Sequence, residues 1–198
     1  PYTFEILVKL GFLKMQLPYL KTITQAGGRL KKELVKDLSE YCVQNKKKFF
    51  VMYGQTEATA RMSYLPPESA SEKSESIGIP IPKGSFDIID DANNLISDTN
   101  IEGELIYRGP NVSMGYASNI KDLSEPDTNK GTLYTGDIAK RDSDNFYYIV
   151  GRKNRFIKVY GNRINLDETE KLLKTVLDDV ACKGNDDNLE IYLIGSEN

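Results

Sequence analysis

Residues 49–57 read Phe-Phe-Val-Met-Tyr-Gly-Gln-Thr-Glu. The apolar run 49–53 is short, aromatic and ended by Gly54, the pattern of a strand buried on both faces. Upstream, Leu30, Leu34, Val35, Leu38, Tyr41 and Cys42 recur at helical spacing among Lys and Glu, so this stretch is an amphipathic helix. Before it lies the β-rich run 21–26, which meets Gly27-Gly28. Strand, helix and strand in about thirty residues form a βαβ unit of a parallel sheet. Lys46-Lys47-Lys48 between helix and strand is a solvated turn. In open parallel sheets ligands bind outside the carboxyl ends of the strands, which puts Tyr53-Gly54-Gln55-Thr56-Glu57 at a crevice.

The pattern changes twice further along. Residues 66–76 (PPESASEKSES) are polar and Ser/Glu-rich, a surface loop or linker. Beyond them, short alternating strands (SFDIID, GELIYRG, TLYTGDIAKRD, NFYYIVGR) are separated by Gly, Asn, Asp and Pro, with turns at 91–94 and 143–145; this is an antiparallel β region. After Gly151, RFIKVYGN reads as a strand or hairpin arm, 167–180 as a helix with Leu172, Leu173, Val176, Leu177 and Val180 on its apolar side, and LEIYLIG as a strand. Asp167, Glu168 and Glu170 place carboxylates in the first turn, where the helix dipole favours them. The expected organisation is therefore α/β: a parallel-sheet piece (1–65), a mostly antiparallel, distorted barrel-like β subdomain (66–153), and the start of a small α+β C-terminal lid (154–198). The last piece is too small to bury a satisfactory core alone. With no initial Met and an ending just after a strand pattern, the chain reads as a piece of a longer protein.

Composition narrows the chemistry. The chain has 198 residues, 39% hydrophobic and 28% charged, net charge -3 and no histidine. The absence of histidine removes Ser/His and Cys/His catalysis and nearly all zinc-site patterns. The acidic balance gives no global field for nucleic acid or anionic lipid, so any anion site is local. A mean hydropathy of -0.45 and the lack of a long apolar run exclude membrane insertion. Cys42 and Cys182, 140 positions apart, suggest neither a disulfide framework nor a metal knuckle but two reduced thiols in a cytoplasmic protein.

Three constellations remain. In 53–57 an aromatic face can stack on a purine, a Thr hydroxyl can donate to phosphate, and a Glu can hold Mg²⁺; a capped strand-to-loop turn is the plain alternative. Thr135-Gly136-Asp137 is a small-residue turn whose carboxylate can accept two ribose hydroxyls, or simply a turn. Arg152, Lys158 and Arg163 form a local basic segment suited to phosphate, or a solvated hairpin. Strand alternation across 152–158 would set Arg152, Asn154, Phe156 and Lys158 apart from Lys153, Arg155 and Ile157.

Taken in order, YGQTE, GELIYRGPNVSMGYA, YTGD and GRKNRFIKVYGNRINLDETE resemble the core motifs of the AMP-forming adenylate ligase superfamily: acyl-CoA synthetases, peptide-synthetase adenylation domains and luciferase. The likeness runs from about residue 20 to the end. It implies that a carboxylate attacks the α-phosphate of MgATP to give acyl-AMP and pyrophosphate, and that a thiol, coenzyme A or phosphopantetheine on an acyl carrier protein, then takes the acyl group. It implies that Tyr53 stacks on adenine, flanked by Gly54 and Gln55, that Thr56 contacts the α-phosphate and that Glu57 binds Mg²⁺. Gly27, Gly28 and Arg29 would line the other side of adenine. A Gly pair opening a helix would by itself suggest a phosphate cradle. Asp137 would grip the ribose, Ile149 pack on the nucleoside, and Arg152 contact ribose and phosphate. Lys158 would serve the second half-reaction, Arg163 the phosphate or thiolation surface, and position 154 the hinge. Most members carry Asp or Lys at the hinge, where this chain has Asn154. The Ser/Thr/Gly-rich phosphate loop and the C-terminal catalytic lysine are not in the sequence, so the isolated chain is expected to be inert. A nucleotide-binding or interaction module without catalysis, or a plain β-rich domain, are the alternatives.

Overall fold

The structure, a computed structural model, describes residues 1–159, 162–177, 179–185 and 188–193. In chain order the elements are α1 (Tyr2–Lys9), β1 (Thr22–Gln25), α2 (Lys32–Gln44), β2 (Lys48–Tyr53), β3 (Ser63–Leu65), β4 (Ile79–Pro80), β5 (Ser85–Ile89), β6 (Gly103–Arg108), β7 (Thr132–Arg141), β8 (Tyr147–Arg152), β9 (Phe156–Val159), β10 (Asn162–Asn165), α3 (Leu166–Leu173), β11 (Val180–Asn185) and β12 (Asn188–Leu193). Among the described residues no helix is long and apolar enough to cross a membrane.

The βαβ unit is present. β1 and β2 pair in parallel from Thr22↔Lys48 to Gln25↔Val51, with α2 crossing between them. Leu34, Val35, Leu38, Tyr41 and Cys42 bury one stripe of α2 against Ile23 and Phe49, and α1 adds Phe4, edge-on to Phe49. The sheet is mixed rather than purely parallel, because β3 and β4 continue it antiparallel. β2 is also not sealed on both faces: Phe49 is buried, whereas Phe50 to Tyr53 are half-buried. Val51, Met52 and Tyr53 line a cavity, which explains their continuous apolar run without full burial.

The β region is an open antiparallel sheet in the order β5-β6-β7-β8, not a closed barrel. Its core centres on Phe86, whose ring meets Tyr107 and Tyr147 at 5.6 and 5.0 Å and, across the sheets, Tyr53 at 6.3 Å. The polar stretch 66–76 is not a solvated linker. Ala70, Ser74 and Ser76 are buried, and Lys73 Nζ is clasped by Asp142 at 2.8 Å and Asp144 at 2.7 Å. At Glu75 the stretch is tied to the βαβ unit by Lys32 at 3.0 Å and Arg29 at 3.6 Å. The expected turn at 143–145 forms around Asp142, whose Oδ1 accepts from the Asp144 and Phe146 amides.

Beyond β8 a 3-10 turn at Lys153–Arg155 interrupts the strand, so the simple alternation expected over 152–158 does not hold. β9 and β10 form a hairpin, and Asn165 caps α3 by accepting from the Asp167 amide at 3.0 Å and the Glu168 amide at 3.4 Å. α3 ends at Leu173, not at 180. Val180, 1% exposed, belongs to β11 and pairs with Leu193, while Leu172 and Val176 face solvent: strand pairing overrides the helical spacing of the apolar residues. Ile157, Leu166 and Cys182 make the small core here. Arg155 staples it, ion-paired to Glu170 and, at 2.8 Å, to Asp167, with Nη1 donating to the Cys182 carbonyl at 2.8 Å.

Candidate nucleotide site

Tyr53 stands at the end of β2, where the strand releases the chain into a tight loop. That loop needs Gly54. A Cβ there would sit 2.3 Å from the Ala60 carbonyl oxygen, because residues 55–60 fold back so closely that the Met62 amide reaches the Tyr53 carbonyl at 2.9 Å.

Asp137 arrives by a different device. Opposite β6, Glu104 pairs with Ile138 and Ile106 with Tyr134, so Thr135-Gly136-Asp137 all face the single residue Leu105. The Thr-Gly-Asp segment is thus a bulge inside β7, not a turn. Gly136 takes φ +68°, a left-handed conformation that suits glycine. Thr135 Oγ1 closes the bulge by donating to the Leu105 carbonyl at 2.7 Å and accepting from the Asp137 amide at 3.1 Å.

The bulge turns the Asp137 carboxylate, 3% exposed, toward the end of β2. Tyr53 Oη donates to Oδ2, Gln55 Nε2 donates to the same oxygen at 3.1 Å, and Arg152 Nε pairs with Oδ1 at 2.7 Å. Arg152 is the register partner of Asp137 on β8, so the pair follows from the strand pairing itself. Burial and the Asp137 charge push the Tyr53 phenol well above its ordinary pKa, which keeps it a proton donor.

A cavity of about 310 Å³ opens at this carboxylate. Gly27, Gly28, Arg29, Tyr53, Gly54, Gln55, Asp137, Ile149 and Arg152, nine of the residues singled out from sequence, all line it. Ser74 to Ile77 complete the wall. Polarity alone could not reveal their role, since the residues that close the wall also fill a Ser/Glu-rich stretch.

Thr56 and Glu57 lie on the 3-10 turn just past the cavity lining, with Thr56 exposed. A hydrogen bond from Tyr116 holds the Glu57 carboxylate below its ordinary pKa, aided by its own backbone amide. Tyr116 was not a candidate from sequence; it is 59 positions away and only the fold joins them. Asn154 sits in the exposed turn between β8 and β9, beside Gly136, Arg152 and Lys153. Lys158 and Arg163 are backbone partners in the β9–β10 hairpin, and their side chains, like Gly161, lie outside the described residues.

Known proteins share this arrangement of sequence and fold. A family model for AMP-binding enzyme matches residues 1–117, more than half the chain. Acyl-CoA synthetase ACTT5 of Alternaria alternata is 36% identical over 135 residues, covering 67% of this chain and 23% of its own. Probable 4-coumarate--CoA ligase 1 of Dictyostelium discoideum is 33% identical over 160 residues, covering 81% and 28%. The chain spans about a quarter of the length of these relatives. Among solved structures, o-succinylbenzoate CoA synthetase of Bacillus subtilis superposes with a TM-score of 0.72 at 26% identity, over 96% of this chain and 39% of that one. The long-chain-fatty-acid-CoA ligase of Archaeoglobus fulgidus shares the fold, with a TM-score of 0.62 at 23% identity. A βαβ unit that delivers Tyr53 to the carboxylate of a bulged β7, together with these matches, makes the chain a member of the AMP-binding enzyme family, within the AMP-forming ligase superfamily.

Proposed function

We propose that the chain is the adenosine-binding portion of an ATP-dependent, AMP-forming acid–thiol ligase. The observation that supports this is the shared cavity: residues from β1–α2, β2, β7 and β8, up to 125 positions apart in sequence, line one space whose rim carries a buried carboxylate and an arginine. Its volume, about 310 Å³, is in the range of small-ligand pockets, roughly 300–1,000 Å³. Structures of the related Bacillus subtilis synthetase hold the acyl-adenylate OSB-AMP, ATP with magnesium, and AMP, which supports the same ligand class here.

Each group has a task set by its chemistry. Tyr53 offers a ring face to the base opposite Gly27 to Arg29, while its hydroxyl stays on Asp137. Asp137 accepts from the ribose, Ile149 packs on the nucleoside, and Arg152 supplies positive charge between ribose and phosphate. Thr56 donates to an α-phosphate oxygen. Glu57 fits Mg²⁺, which is commonly held by one or two carboxylates with substrate phosphates supplying further oxygens. The bound ion would offset the charge that grows on phosphate as a substrate carboxylate displaces pyrophosphate. Lys158 and Arg163 serve the second step, in which a coenzyme A or phosphopantetheine thiol displaces AMP, after pivoting of 154–198 about Asn154. The working location is the cytoplasm, with a small carboxylate as substrate and coenzyme A or an acyl carrier protein as the acceptor.

Two measurements test this. Calorimetric titration of the chain with AMP should show saturable 1:1 binding; a folded chain that binds no AMP refutes the nucleotide site. Carboxylate-dependent pyrophosphate exchange should appear in the full-length protein and be absent from the 198-residue chain, which lacks a triphosphate loop. Robust exchange by the chain alone would overturn the assignment of the missing steps to other segments.

A further inference from the structure

Loop 109–116 is built around the turn that carries Glu57. The Ser113 amide donates to the Glu57 carbonyl at 2.7 Å, and Asn111 Nδ2 donates to the carbonyls of Ala58 and Arg61 at 2.7 and 2.9 Å. From its other side the loop is braced by Thr128, whose amide and hydroxyl both reach the Met114 carbonyl at 2.9 Å, and by Asn129 Nδ2 on the Ser113 carbonyl at 2.8 Å. The braced loop ends by directing the Tyr116 hydroxyl onto Glu57 Oε1. Tyr116 is 82% exposed, so burial of its ring does not account for its placement. What remains is the contact with the carboxylate.

We propose that Tyr116 is a positioning residue for the divalent cation, fixing through Oε1 the Glu57 carboxylate that would hold it. The proposal rests on the reading of Glu57 as a cation ligand. A half-buried carboxylate at a turn still has several rotamers open to it, and a hydroxyl on a braced loop selects one of them before the metal arrives. Partners that orient a metal ligand commonly matter by about 10–100-fold in metal affinity. Tyr116 is exposed and water can partly replace it, so the lower end, about tenfold, is expected.

The test measures, by calorimetry on the full-length protein, how much Mn²⁺ strengthens ATP binding relative to ATP in chelator. Wild type, Tyr116→Phe, Glu57→Gln and the double variant are compared, with melting temperature as the control for folding. The expected pattern is a metal-dependent gain abolished in Glu57→Gln, reduced about tenfold in Tyr116→Phe with metal-free ATP affinity unchanged, and no further loss when the two are combined. A Tyr116→Phe protein with the wild-type gain, while Glu57→Gln has none, overturns the positioning role alone. A wild-type gain in Glu57→Gln, or no gain in the wild type, overturns the cation reading of Glu57 and the proposal with it.

Discussion

Replacing Asp137 by Asn removes one charge from the meeting point of the site and leaves its shape. A carboxylate offers about four lone-pair positions. Three are spoken for: Tyr53 and Gln55 on Oδ2, Arg152 on Oδ1. One position on Oδ1, not the two expected from the sequence, is therefore open to a ribose hydroxyl without displacing any protein donor, and the loss to expect is that of one hydrogen bond to a charged acceptor, about 1.5–3 kcal/mol. At roughly 1.4 kcal/mol per tenfold, AMP should bind about 10- to 100-fold more weakly. The fold should survive, because the Asn oxygen can keep accepting from Tyr53 and Gln55 while its NH2 takes the Oδ1 place, where Arg152 is half-exposed and can turn to water. The assay is calorimetric titration with AMP and with 2′,3′-dideoxy-AMP. Wild type should discriminate between them by that factor, and the Asp137→Asn variant should lose most of the discrimination. A variant that binds AMP within about twofold of wild type, or that discriminates equally well, refutes the argument from acceptor capacity.

Gly54→Ala should destabilise the chain by about 1–3 kcal/mol in urea unfolding, because its Cβ would overlap backbone at Ala60 rather than a yielding side chain; a change below about 0.5 kcal/mol would contradict the steric reading. Arg155→Leu leaves Glu170, 20% exposed, to the Cys182 amide and the more distant charge of Lys174, so hydrogen exchange along β11 should speed up by an amount equivalent to about 1–3 kcal/mol; unchanged protection there would show that the staple contributes nothing. Burial alone would raise the Asp142 pKa, but hydrogen bonds from Lys73, the Phe146 amide and Tyr148 outweigh it and hold the carboxyl below its ordinary value. Its contribution to stability is thus complete above the unfolded pKa near 4 and fades as pH falls through the lower folded value. Unfolding free energy measured from pH 6 to pH 2 should decline less steeply in Lys73→Met, and parallel curves would count against the clasp.

Local signals in the sequence were legible wherever one physical demand governed a stretch. The α2 stripe from Leu34 to Cys42 needed only helical spacing and a neighbour to bury against. The apolar run of β2 marked a strand, yet it carried two demands at once, packing at Phe49 and lining a cavity at Val51 to Tyr53, and spacing cannot separate them. Beyond Leu173 the apolar residues kept helical spacing while the backbone turned to form β11, since Val180 gains more from the core than from another helical turn. At the site, the motif order identified the cavity-lining residues because each is confined to a short segment with its own chemistry. Ser74 to Ile77, Glu75's ties to Arg29 and Lys32, and Tyr116 escaped, since their roles exist only between segments distant in sequence.

The bulge at Thr135-Gly136-Asp137 bears on which changes of length this strand tolerates. Through it, buried Leu133, Thr135 and Asp137 alternate with exposed Tyr134 and half-buried Gly136, so the count of residues decides which side Asp137 occupies. A one-residue insertion or deletion between Thr132 and Asp137 would swing the acid to the opposite surface and part it from Tyr53 and Arg152 together. The same change of length in the exposed turn 91–94 would leave that alternation untouched.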